Sequence, residues 1–268
     1  MPEGQGLQLE ARPFDRAYLP RMPGDARVGT SGFAYREWIG SVYPRGATQG
    51  QLLPMYADRL SAVEIATNTR LPTPELLASW AASVPPGFQF ALKAPNRVAH
   101  ELGAGKAAAR SLGTFLDALE RLGDSLGPLL VQVPETVKAD RHALSAFLAA
   151  LPQDLRVAFD FHHPSWHDDG TLRILSGHEA ALVLTDQGDG APRLTLTADF
   201  TYVRIRRDDD RPEAIEEWAE RLGLLTRRGI DVYAFLKHDR RGAAVDRAAR
   251  LAALLRTESS LGEQAMLS

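Results

Sequence analysis

The sequence predicts an α/β protein whose single chain closes one (β/α)8 barrel, with parallel strands inside and helices outside. Three observations carry this reading. Short apolar runs alternate with longer stretches of helical periodicity, the pattern of a parallel sheet covered by helices. The runs number eight, enough to close the sheet on itself. The chain has 268 residues, close to the usual length of such a barrel.

The eight runs occupy 27–31, 62–66, 88–93, 129–133, 156–161, 181–185, 201–206 and 232–237. Helical stretches lie near 49–60, 74–83, 106–123, 139–150, 168–178, 212–228 and 242–256. In 212–228, Ile215, Trp218, Leu222 and Leu225 recur at spacings of three and four and form one apolar face. Pro72, Pro134 and Pro152 fall between elements, where a missing N–H costs nothing. An open doubly wound sheet is the competing arrangement. Neither a dinucleotide glycine fingerprint nor a P-loop follows the first run. Residues 1–26 read as an N-terminal extension lying on the barrel, 27–256 as the barrel domain, and 257–268 as a fraying C-terminal tail.

Hydrophobic residues make up 44% and charged residues 24%, the balance of an ordinary globular chain. The net charge of −3 is not that of a polycation, so nucleic acid would need a local basic patch. With no cysteine there is no disulfide, no thiolate metal site and no thiol nucleophile. No apolar run is long enough to span a membrane, and the N-terminus lacks a signal-peptide pattern, so a cytoplasmic protein is expected.

Side chains alternate across a strand, so each barrel strand has a lumen face and a helix face. Placing the apolar set against the helices sends Val63 and Ile65 outward and Glu64 inward. By the same rule Lys93, Gln132, Asp160, His162, Arg204 and Arg206 point inward. They converge near the C-terminal strand ends, where barrel enzymes keep their chemistry. The loops above would add Tyr35, Trp38, Asn68, Arg70, Arg97, Trp166 and Asp239.

Several segments, in order, resemble the YecE-like family, a bacterial and archaeal domain of unknown function (number 72). They are Gly29-Thr30-Ser31-Gly32-Phe33 with Tyr35 and Trp38, then Val63-Glu64-Ile65 with Arg70-Leu71-Pro72. Phe90-Ala91-Leu92-Lys93-Ala94-Pro95 follows, then Gly127-Pro128-Leu129-Leu130 with Gln132 and Pro134, then Phe159-Asp160-Phe161-His162-His163-Pro164-Ser165-Trp166. The resemblance covers about 27–256. It implies a TIM-type barrel and supplies no reaction. The sequence also departs from the family pattern. Asp160 stands where Glu is usual, and His162 where Arg is usual. Arg206-Arg207 replaces His-Gly, and Leu236-Lys237-His238-Asp239 keeps only the family's final aspartate. The loop 66–69 is one residue short and lacks an aromatic pair. These changes of charge and reach imply a modified substrate or activity.

Glu64 and Asp160 are the candidate proton-handling carboxylates, with a structural ion pair as the bland alternative. Lys93 is a candidate catalytic residue or anion holder, since burial would lower its pKa. Arg204 and Arg206 suit an anion because a guanidinium makes paired hydrogen bonds to phosphate. Asn68, Gln132 and His162 would orient the substrate; Tyr35, Trp38 and Trp166 would wall it or plug the barrel top; Asp239 sits on the rim. His162, His163 and His167 lie near Asp160 and Asp168, but neighbours on a strand end face opposite ways. No metal site and no cofactor are therefore expected.

The leading expectation is a metal-independent enzyme for a small phosphorylated or carboxylated compound. A nucleic-acid phosphodiesterase or binding protein would use the same basic mouth, with Arg70, Arg97, Arg207, Lys237 and Arg240 along the backbone. A catalytically idle barrel that binds a metabolite or partner stands third. A deep closed pocket would favour the small molecule.

Overall fold

The computed structural model describes residues 22–67, 72–101, 108–186, 194–207, 211 and 213–266. Eight parallel strands close a barrel in chain order. They are β1 (Ala26–Ser31), β2 (Ala62–Ala66), β3 (Gln89–Lys93), β4 (Leu126–Val133), β5 (Val157–Phe161), β6 (Ala181–Thr185), β7 (Phe200–Ile205) and β8 (Asp231–Leu236). The helices are α1 (Gln49–Ala57), α2 (Pro74–Ala82), α3 (Asn96–Glu101), α4 (Ala108–Leu119), α5 (Arg141–Ala149), α6 (Asp169–Gly177), α7 (Glu213–Thr226) and α8 (Ala243–Met266). Closure of β8 onto β1 pairs Val28 with Ala234 and Thr30 with Leu236, which excludes the open doubly wound sheet.

Two elements differ from expectation. The short helix α3 had no periodic signal, since six residues are too few to display one. The last helix runs on to Met266, where the sequence suggested a tail from 257. Its sequence beyond 256 is polar, and helix propensity without an apolar stripe leaves little pattern to read.

Local chemistry starts the helices. The Thr73 hydroxyl accepts the Leu76 N–H ahead of Pro74, and Asp140 accepts the Ala143 N–H at 2.9 Å. Asp168 likewise caps α6 through the Thr171 N–H at 2.8 Å.

The core has two parts. Outward strand residues, among them Val63, Phe90, Leu92, Val131, Phe159 and Val203, pack against the helices. A separate inner cluster fills the lumen, with small Ala62, Ala91, Ala158 and Ala181 opposed to large Phe200, Tyr202, Tyr233 and Phe235. Alanines on one side of the barrel leave the space that the aromatic rings of β7 and β8 occupy. At β1 the crowding reaches its limit: a Cβ on Gly29 would stand 1.9 Å from the Ala62 carbonyl oxygen. The lumen is thus solid in its middle, and polar groups are confined to its two ends.

Tyr56 on α1 ties the first two strands together. Its hydroxyl accepts the Thr30 N–H at 2.8 Å and donates to the Ala62 carbonyl at 3.1 Å. The ring is fully buried. Tyr56→Phe should leave a buried N–H unpaired and cost about 1–3 kcal/mol; urea unfolding measures this, and an unchanged midpoint would mean water replaces the hydroxyl.

Candidate functional site

Strand register assembles the top layer of the lumen. Ser31 lies beside Glu64, Gln132 beside Asp160, and Thr185 beside Arg204. Alternation along β7 puts Tyr202 below Arg204 on the same face, while Val203 and Ile205 go to the helices.

Glu64 is buried at the centre of this layer and its carboxylate is saturated. Oε1 accepts from Ser31 Oγ at 2.8 Å, Arg204 Nη2 at 3.1 Å and Arg206 Nη2 at 3.1 Å. Oε2 accepts from the Tyr202 hydroxyl at 2.9 Å, and Arg204 Nε stands 3.1 Å from it. That Nε pairs by charge alone, because its N–H is not aimed at the oxygen. Burial pushes Glu64 up, but Arg204, Arg206, Ser31 and Tyr202 outweigh it and hold the carboxyl below its ordinary value. A carboxylate so held is a poor proton carrier and a good internal counter-ion.

Arg204 bridges the two carboxylates, since its Nη1 also donates to Asp160 Oδ2 at 2.6 Å. Arg206 Nη1 donates to Ser31 Oγ at 3.1 Å. Asp186, buried and not singled out by the sequence, accepts the Arg206 N–H at 2.6 Å and the Arg207 N–H at 3.2 Å, and so fixes the end of β7.

Asp160 faces outward from this cluster to Gln132 and His162. Gln132 Nε2 donates to Asp160 Oδ2 at 3.1 Å, and His162 Nε2 lies 3.4 Å from Oδ1. Burial raises Asp160, yet His162 and Arg204 bring it below its ordinary value. The same contact with Asp160 raises His162 against the opposing effect of burial. Lys93 moves the other way: burial, then Arg204, lowers its pKa, with Glu64 and Asp160 resisting.

Lys93, Asn96, Gln132, Pro134 and His162 line a cavity of about 180 Å³ above β3, β4 and β5. The sequence does not single out Asn96 or Pro134 as site residues; Pro134 directly follows β4, and Asn96 opens α3 three residues past the end of β3. Among the described residues, no hydrogen bond or ion pair reaches the Lys93 ammonium. The inner cluster therefore holds three cations, Lys93, Arg204 and Arg206, against two carboxylates, Glu64 and Asp160, one positive charge in excess.

The structure brings Glu64, Lys93, Gln132, Asp160, His162, Arg204 and Arg206 together, as alternation along the strands predicts. Tyr35 joins them at the rim, its hydroxyl bonded to the Ser31 carbonyl at 2.5 Å and its ring stacked 4.1 Å from His238. Trp38, Trp166 and Asp239 are engaged elsewhere. Trp38 is fully buried, with its indole N–H on the Asp239 carbonyl at 2.7 Å. Trp166 stacks on Phe161 at 4.5 Å and bonds the Val137 carbonyl. The Asp239 carboxylate caps α8 through the N–H groups of Ala243 and Ala244. Asn68 and Arg70 lie outside the described residues. His163 caps a turn through Ser165, and His167 bonds the Phe161 carbonyl. Among the described residues, no three of His, Asp or Glu converge as a metal set would. No helix among them is long and apolar enough to cross a membrane.

An eight-stranded α/β barrel with a charged layer under its C-terminal mouth defines the architectural class. The chain belongs to the DUF72 family of proteins of unknown function, whose model matches residues 27–266. It is similar to the crystal structure of a DUF72 family protein from Thermotoga maritima. That structure is 25% identical, has a TM-score of 0.76, and aligns over 87% of this chain and 99% of that one. A DUF72 family protein from Enterococcus faecalis shares the fold at 18% identity and a TM-score of 0.68, over 88% of this chain and 99% of that one. No curated protein matches the chain.

The contrast between Glu64 and Lys93 predicts opposite mutational outcomes. Glu64→Gln uncovers two buried guanidinium groups and should cost about 3–5 kcal/mol. Lys93→Met keeps the apolar stem and should leave stability unchanged or raised. Urea unfolding of both variants checks this, and equal losses would contradict it. The acid limb follows from the sign of the carboxylate shifts. Glu64 and Asp160, held low, add stability above the unfolded carboxylate range, near about 4, that is lost as pH falls through their folded values.

Proposed function

We propose that this barrel is a metal-independent enzyme for a small phosphorylated or carboxylated compound, with Lys93 holding the anionic group. The observation that carries the proposal is the Lys93 ammonium, half-buried in the wall of a cavity and reached by no ion pair among the described residues. Arg204 and Arg206 spend their hydrogen bonds on Glu64, Asp160 and Ser31. They support the field of the mouth rather than grip the ligand directly.

The size of the cavity favours a small molecule over a nucleic-acid backbone. Its volume of about 180 Å³ suits a phosphate or carboxylate and a few carbons; pockets for drug-sized ligands run to about 300–1,000 Å³. Proton transfer falls to His162 and Asp160. The histidine lines the cavity, and its contact with Asp160 raises its pKa above the ordinary imidazole value. Glu64 is ringed by Ser31, Tyr202, Arg204 and Arg206 and serves as the counter-ion beneath. Gln132 and Asn96 supply neutral hydrogen-bonding groups for the rest of the compound.

Titration with inorganic phosphate, followed by calorimetry, tests the assignment. Lys93→Met should weaken binding about tenfold or more, the worth of one charge-assisted hydrogen bond, while remaining folded. Unchanged phosphate affinity in that variant would remove Lys93 from the site.

A further inference from the structure

His162 occupies a position that forces a choice on its proton. Its Nε2 lies 3.1 Å from Gln132 Nε2 and 3.4 Å from Asp160 Oδ1. The Gln132 amide cannot turn to relieve this, because the same nitrogen donates to Asp160 Oδ2 at 3.1 Å. Rotating it would set an amide oxygen against a carboxylate oxygen. The ring nitrogen therefore either accepts from Gln132 through its lone pair or donates an N–H to Asp160; one atom cannot do both. In the first arrangement the ring is neutral, with its proton on Nδ1. A ring that donates to Asp160 and still presents Nδ1–H to a ligand is an imidazolium.

The two arrangements differ by one charge on a wall that already holds Lys93. Charged groups reach His162 from three strands: Asp160 on β5 favours the proton, while Arg204 on β7 and Lys93 on β3 oppose it. With a neutral ring the inner cluster has one positive charge in excess, and with an imidazolium it has two. A monoanion matches the first state. A dianion matches the second, and by lying between Lys93 and His162 it would offset the repulsion that Lys93 and Arg204 set against the proton. The side chain of His162 is 38% exposed, so the proton can come from solvent.

We propose that the mouth is a dianion site of the phosphate-monoester class, in which His162 takes up one proton as the ligand binds. Asp160 and Gln132 hold the charged and neutral rings respectively. This rests on the Lys93 assignment above and goes beyond it in naming the ligand's charge and a second cation.

The test uses sulfate, dianionic at all working pH values, and acetate, a monoanion. Each is titrated into the full chain by calorimetry at pH 6 and pH 8, at constant ionic strength, in two buffers of different ionisation enthalpy. Sulfate binding should absorb a proton from the buffer. Its affinity should fall by up to about tenfold per pH unit above the His162 pKa, the limit for one linked proton. Acetate should bind without proton uptake. In His162→Gln, sulfate should bind weakly and without proton uptake. Proton NMR of the wild-type His162 ring supplies a reading independent of any variant: sulfate should raise its pKa and acetate should not. Sulfate binding without proton uptake would overturn the dianion inference and leave Lys93 in place. Failure of both anions to bind the wild type would overturn both.

Discussion

Everything at the mouth of this barrel depends on one buried carboxylate. Glu64 stands in the centre of the lumen with Ser31, Tyr202, Arg204 and Arg206 around it. Two guanidinium groups under the mouth would repel each other and lose their hydration; a single carboxylate accepting from both offsets that cost. Tyr202 donates to it from below, and beneath that level the middle of the lumen is apolar. The charged layer thus sits on a rigid floor of aromatic rings and alanines, and cannot sink or rotate without unpairing several groups together.

That constraint divides the labour among residues which look interchangeable in the sequence. Arg204 and Arg206 are consumed by the layer itself. Asp160 belongs half to it, through Arg204, and half to the cavity, through Gln132 and His162. Among the described residues, Lys93 contributes charge without sharing in the pairing. The unpaired cation is thus the one that lines the cavity. Two of the departures from the family pattern fall on this boundary. A shorter carboxylate at Asp160 beside a titratable His162 stands where the pattern has a longer acid and a permanently charged arginine.

Much of this was legible in the sequence, for a simple geometric reason. Inside a strand, a period of two decides which face a side chain takes, so the sequence alone places Glu64, Lys93, Gln132, Asp160, Arg204 and Arg206 in one lumen. It does not place their pairing, which depends on register and on rotamers across the barrel. Past a strand end the period stops and the same reasoning loses its grip. Trp38 and Trp166 follow strand ends closely, yet tight turns fold both rings into the core. Asp239 lies four residues before α8, and its carboxylate is used in starting that helix rather than in lining the mouth. An aspartate just ahead of a glycine and a helical run was a capping signal available to the reading.

In the proposed function the arginines stay bound to the protein's own carboxylates and Lys93 takes the ligand. A crystal structure of the protein grown in phosphate addresses it most directly. The account predicts an anion in the cavity within hydrogen-bonding distance of Lys93 Nζ, with every Glu64 contact to Arg204 and Arg206 intact. An anion seated on Arg204 or Arg206 in place of Glu64, with Lys93 turned away, would contradict it.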